Sequence, residues 1–198
     1  MAQNEEPAPD DVRVLDPRSL RGLAHPLRIR LLGALREYGP ATASQLADRL
    51  GESSGATSYH LRQLAAHGFV KDDPERGKGR ERWWKAAHRG NRMGSDKFLT
   101  HPDPAVRGAV NTVLHEVATT HTEHMSTWLG TLHGWSEDWR AAWDMSDFGM
   151  RLTPELAREL RDKVHELIES YREKEVDRDT EGSAPYRVHL HAFPREED

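Results

Sequence analysis

The chain has 198 residues, enough for one large domain or a small one with an appendage, and it lacks cysteine, which removes disulfides, thiolate chemistry and cysteine-ligated zinc. No run approaches the roughly 18 apolar residues of a membrane helix, and the opening MAQNEEPAPDD is acidic where a secretory leader would be basic, so a soluble, cytoplasmic protein with no membrane partner is expected. The net charge of −5 hides an asymmetry: residues 18–92 carry 15 Lys and Arg against 7 Asp and Glu, whereas residues 96–198 carry 12 against 21, so only the first half favours a polyanion.

In chain order, residues 1–15 read as a disordered tail, polar and rich in acid and proline. Asp16-Pro17 then caps and opens a short helix to Ala24, because proline is preorganised at the first helical position. His25-Pro26 restarts the chain. Leu27, Leu31, Leu32 and Leu35 recur at helical spacing, with Ile29 on the flank, until Gly39-Pro40 stops them. The run T-A-S-Q from Thr42 is a capping box closed by Gln45, and Leu46, Ala47 and Leu50 give the helix one apolar face before Gly51 ends it. A second helix begins after a three-residue turn, at Ser53 or Ser54.

Two short helices, a tight glycine-containing turn and a basic setting make a helix-turn-helix pattern. On a 100° wheel the second helix turns Ala56, His60, Leu61, Leu64 and Ala65 inward, and Ser54, Gly55, Ser58, Tyr59, Arg62 and Gln63 outward. Its opening turn carries almost no bulk. A helix that enters the major groove must bring its amino end close to base edges and phosphates, so small side chains there suit DNA, with Arg62 and Gln63 as longer donors.

After Gly68, strands are expected over Phe69 to Asp73 and Arg80 to Lys85, joined by the basic, glycine-rich loop PERGKG. A hairpin in this place is a wing, and Arg76, Lys78 and Arg80 suit a phosphate strand or the narrow minor groove. Trp83 and Trp84 fall on opposite faces of the second strand.

The His25-Pro26-Leu27-Arg28 opening, the Ser58-Tyr59-His60-Leu61 centre of the second helix and the Gly68-Phe69-Val70 exit closely resemble the winged-helix repressors of the ArsR-like superfamily, nearest to their metal-independent, C-terminally extended actinobacterial relatives. The resemblance spans residues 18–88. It implies DNA contacts at Ser54, Ser58, Tyr59 and Arg62, a structural role for His60, and repression as the mode of control; the cysteine metal motif of the arsenic sensors is absent.

The winged helix-turn-helix domain thus occupies residues 16–90, a linker residues 91–102, and a helical domain for dimerisation and effector sensing residues 103–198; the fold class is mainly α with small β. Asp103-Pro104 starts a long helix reaching residues 130–134, with a seam of Val106, Val110, Val113, Val117, His121, His124 and Trp128. Because such motifs read palindromic operators as twofold dimers, the seam is a candidate homodimer contact. Trp135, Trp139 and Trp143 follow at four-residue spacing and, with Trp128, form a candidate pocket for a small-molecule effector, though a core stripe has the same spacing. Thr153-Pro154 opens a further helix lined by Leu156, Leu160, Val164, Leu167, Ile168 and Tyr171. Residues 147–152 and YRVHLHAF alternate as strands that would pair in a short β-sheet within this domain.

No metal or other cofactor is expected. His121 and His124 are candidate zinc or nickel ligands for an alternative, metal-responsive repressor, but they lack a clear partner set. The chain has no phosphate loop, HExxH or nucleophile elbow, so it is read as a DNA-binding transcription regulator and not as an enzyme. A winged helix that binds protein instead of DNA remains the other alternative; its recognition face would favour aromatic bulk.

Overall fold

The computed structural model describes residues 12–76, 81–93 and 96–196. The chain divides into two compact units, one up to Gly130 and one from Thr131.

In the first unit, strand β1 (Val12–Leu15) leads into helix α1 (Pro17–Leu23). Asp16 caps α1 by accepting from the Ser19 amide at 2.6 Å while the Ser19 hydroxyl receives the Asp16 amide at 2.9 Å, a reciprocal box that satisfies two donors at the helix start. Helix α2 (Pro26–Tyr38) is capped by His25, whose Nδ1 accepts from the Leu27 amide at 3.2 Å, and it ends at Gly39 with φ of 82°. The short strand β2 (Ala41–Thr42) runs into α3 (Ala43–Leu50) through the expected box of Thr42 and Gln45. Gly51 takes the left-handed conformation that ends α3, and α4 (Ser54–Ala66) follows. Strands β3 (Val70–Asp72) and β4 (Trp83–Ala86) form the wing hairpin, and β2 joins β4 on its other edge, in the order β2-β4-β3.

One hydrophobic core ties these parts together. Leu20, Leu31, Leu32, Leu46, Leu61, Leu64 and Phe69 are all buried, and Trp84 is only 3 % exposed.

Two expectations for this half are corrected. The tail was expected to reach residue 15, but Val12–Leu15 pairs in parallel with β5 (Gly90–Met93), Val12 opposite Gly90 and Leu15 opposite Met93; residues 1–11 lie outside the described residues. The stretch expected as a linker from residue 91 therefore begins with a strand, and its Phe98, in a 3₁₀ turn at Asp96–Phe98, is buried. Neither strand has a hairpin signal because its partner lies at the far end of the domain.

Helix α5 (Pro104–Thr131) starts where Asp103-Pro104 placed it. Its seam divides. Val106, Val110 and Val113 are buried in the core of their own chain, and the half-buried Val117 packs against that core. Further along, His121, His124 and Trp128 are half-buried while Leu114, Met125 and Leu129 stay exposed.

The second unit holds a 3₁₀ turn (Leu132–Gly134), α6 (Glu137–Ala141) and α7 (Pro154–Arg172), the last capped by Thr153. Among the described residues from 131 on, none is buried and none lies in a strand. The expected short sheet between residues 147–152 and 186–193 is thus corrected. Alternation marks a segment able to pair but supplies no partner, and Phe148 and Phe193 are both largely exposed.

Candidate nucleic-acid interface

Helix α4 is the element the sequence assigns to DNA, and its seating decides what it can present. Ser53 caps it, accepting from the Ala56 amide at 3.2 Å. Thr57, Leu61 and Leu64 form its fully buried stripe, whereas Ala56, His60 and Ala65, expected inward, are half-buried. Thr57 was missed, although its spacing of four and seven residues from Leu61 and Leu64 would have placed it on the same face. Its hydroxyl is buried without a hydrogen-bond partner among the described residues.

The opposite face carries the expected set. Ser54, Gly55, Tyr59 and Arg62 are exposed; Ser58 and Gln63 are half-buried. At Gly55 an added Cβ would meet nothing within 4 Å, and the residue has no positive φ.

Two histidines seat the helix against α1 and α2. The His60 ring lies 4.2 Å from that of His25, with Tyr59 edge-on at 5.1 Å. Burial first, then the positive fields of His25 and Arg28, push the His60 imidazole below its ordinary value of 6.5, with Glu52 alone opposing. His67 is pushed down by burial and by Arg18, Arg28 and Arg13, against Asp16. It fits so closely over α1 that a Cβ at Gly22 would fall 2.4 Å from its ring. Arg13 donates to the His67 carbonyl and lies 4.4 Å above the Phe69 ring, so β1 helps lock the end of α4.

Of the three wing cations expected at DNA, Lys78 and Arg80 lie outside the described residues. Arg76 is exposed, 3.7 Å from the buried Asp73, which also takes Lys85 at 2.8 Å. A fourth cation went unremarked in the sequence. Arg82 spreads its guanidinium 4.1 Å above the Trp84 ring and turns Nε to Asp72 at 2.9 Å. Arg82 immediately precedes β4, and carrying the two-residue alternation of the strand back from Trp84 would have paired the two.

Arg82 and Trp84 line a cleft of about 210 Å³. Thr42, Ala43 and Ser44 enter it from the start of α3, Ser58 and Arg62 from α4, and Glu81, Arg82 and Trp84 from the wing. Gln45 and Thr42 satisfy each other's amides, while Ala43 and Ser44 occupy the first two helical positions, whose amides have no acceptor within the helix.

The remaining candidates lie elsewhere. His124 Nε2 is 3.8 Å from Glu37 Oε2, linking α5 to α2, and among the described residues no group of three His, Asp or Glu is arranged to hold a metal. In the second unit Trp135 and Trp139 meet edge-on at 6.2 Å, Trp139 stacks on Tyr186 at 6.1 Å and donates to the Gly182 carbonyl at 3.2 Å, and Trp143 is exposed. Trp128 belongs to the first unit. No helix among the described residues is long and apolar enough to cross a membrane.

Residues 23–73 match a family described as a helix-turn-helix domain. That span runs from the end of α1 to the first wing strand and contains both helices and the turn. Over these residues the chain therefore carries a helix-turn-helix domain. Comparison with curated proteins finds no match. A solved structure titled as disulfide-formed AbfR aligns over 54 % of this chain and 70 % of its own at 16 % identity, with a TM-score of 0.27, too low to carry an argument.

Proposed function

We propose that this chain is a sequence-specific, homodimeric repressor of the ArsR-like type that reads a palindromic operator in double-stranded DNA. In this reading Ser54, Gly55, Ser58, Tyr59, Arg62 and Gln63 face the major groove, and the wing, including Arg76, Lys78 and Arg80, follows the flanking backbone. The two reading heads would sit about 34 Å apart on successive turns of the duplex.

Gly55 carries the argument. Gly55 lies exposed in the opening turn of α4, and nothing inside the fold asks for glycine there, since its φ is not positive and a Cβ would point into open space. Gly33 in α2 and Gly108 in α5 have the same open space, so what singles out Gly55 is its place beside Ser54 and Ser58 on the exposed face of α4, where smallness lets a groove wall approach.

The experiment is selection of bound duplexes from a random library, first with the unaltered protein and then with Gly55→Ala and Gly55→Leu. An inverted repeat is expected from the unaltered protein. Gly55→Ala should fold at least as stably, and Gly55→Leu should fold but lose the operator by tenfold or more. A Gly55→Leu protein that keeps full operator affinity would remove α4 from the groove.

The second copy is supported by apolar surface the chain leaves uncovered. Leu114, Met125 and Leu129 on α5 are exposed, as are Leu156, Leu160, Leu167 and Tyr171 along α7.

A further inference from the structure

We propose that Arg82 is a DNA-phosphate clamp, held ready at the mouth of the cleft by Trp84 and Asp72. The inference rests on the DNA-reading role proposed above and assigns a contact to a residue that role does not require.

An arginine on a mobile stem loses side-chain entropy when it is fixed on a phosphate. Here much of that freedom is already spent. Trp84 is buried and set in the middle strand of the sheet, opposite Ala41 on one side and Asp72 on the other, so the ring beneath the guanidinium is fixed by backbone pairing. The guanidinium lies 4.1 Å over that ring, which orients its plane. Asp72 engages Nε at 2.9 Å. The side edge that carries Nε is thereby taken, and the outer edge formed by the two terminal amino groups is a second, separate fork whose spacing matches two oxygens of a phosphate. The side chain is 54 % exposed, so an acceptor can reach it from solvent.

The position fits as well. Arg82 lines the same cleft as Ser58 and Arg62 of α4, so a backbone strand passing beside the recognition helix meets it there. The cleft is not uniformly positive, because Glu81 also lines it. With Asp72 on Nε and Glu81 on the wall, a loosely held cation would be neutralised in place; a fork with a fixed direction can still select a phosphate at one point of the path.

Duplex binding by the full chain, measured against salt concentration for the unaltered protein, Arg82→Gln and Arg82→Lys, tests this. A phosphate contact contributes about 0.9 to the slope of log affinity against log salt. Arg82→Gln should lower the slope by about that much and weaken operator and non-operator duplexes by the same factor, leaving sequence preference intact. Arg82→Lys should restore the slope with only part of the affinity, since it returns the charge without the fork. An Arg82→Gln protein that still selects its operator with an unaltered slope overturns the clamp and leaves the DNA reading standing. An unaltered protein that binds no duplex overturns both. Loss of an exposed ion pair and one ring contact is a small change to the fold, and matching melting curves for the three proteins would show it.

Discussion

At the scale of single residues, two imidazoles packed along α4 are made harder to protonate by their surroundings. His60 faces His25, Arg28 and Glu52, and His67 faces Arg18, Arg28, Arg13 and Asp16, so each would gain its proton in a predominantly positive setting. Both are depressed below 6.5 in the folded chain, burial being the larger cause. The unfolded chain therefore binds more protons than the folded one as pH drops through that value, and stability falls with it. Above it the histidine contribution is complete, and below the depressed folded values it levels off. Asp16 acts in a separate window: its hydrogen bonds to Ser19 hold it below 3.8, so its contribution disappears only in stronger acid. Urea midpoints measured from pH 8 to pH 5 should fall through pH 6.5, and a His60→Gln, His67→Gln double variant should show a flatter profile. An equal slope in both proteins would assign the acid sensitivity to other groups.

At the scale of elements, the turns were set by side chains that close on their own backbone. Thr42 and Gln45 satisfy each other's amides at the entry to α3. Thr42→Ala should cost about 1 kcal/mol in denaturant unfolding, because the Gln45 amide loses the buried Thr42 hydroxyl as its acceptor, and a change of only a few tenths would mean that another group replaces it. Such caps are local, which is why α1 to α4 could be placed from sequence almost to the residue. The wing strands were also readable, as was the start of α5. What escaped was non-local. The pairing of β1 with β5 joins two four-residue strands with no turn between them, and no periodicity in either announces the other. The seam of α5 was visible, but whether Val106, Val110 and Val113 faced their own chain or a second copy depended on the core beneath. For the site, α4 was legible because its face is written in consecutive residues. The cleft was not, since Thr42, Arg62 and Arg82 come from three elements.

At the scale of the whole molecule, stability is unevenly spread. The first unit has a continuous core, whereas the described residues of the second bury no side chain fully, although Leu156, Leu160, Leu167 and Tyr171 share one face of α7. If that face meets a second copy, Leu160→Glu should shift the protein toward monomer in sedimentation velocity and weaken binding to a two-site operator far more than to a single half-site. A Leu160→Glu protein that sediments as the unaltered one would place the partner elsewhere.

The pairing of Val12 with Gly90 has a temporal consequence. During synthesis the amino-terminal strand leaves the ribosome long before its mate exists, and its unpaired edge must remain solvated while both helices of the reading head and the whole wing emerge. Closing that long loop comes late because the chain entropy is lost before the ladder forms. Since Arg13 of this strand donates to the carbonyl of His67, the strand that waits for β5 is also the one that fastens the end of α4. A nascent chain stalled short of residue 90 would already contain all of α4 and both residues of the Arg13–His67 contact, and would still lack the strand that holds Arg13 in place.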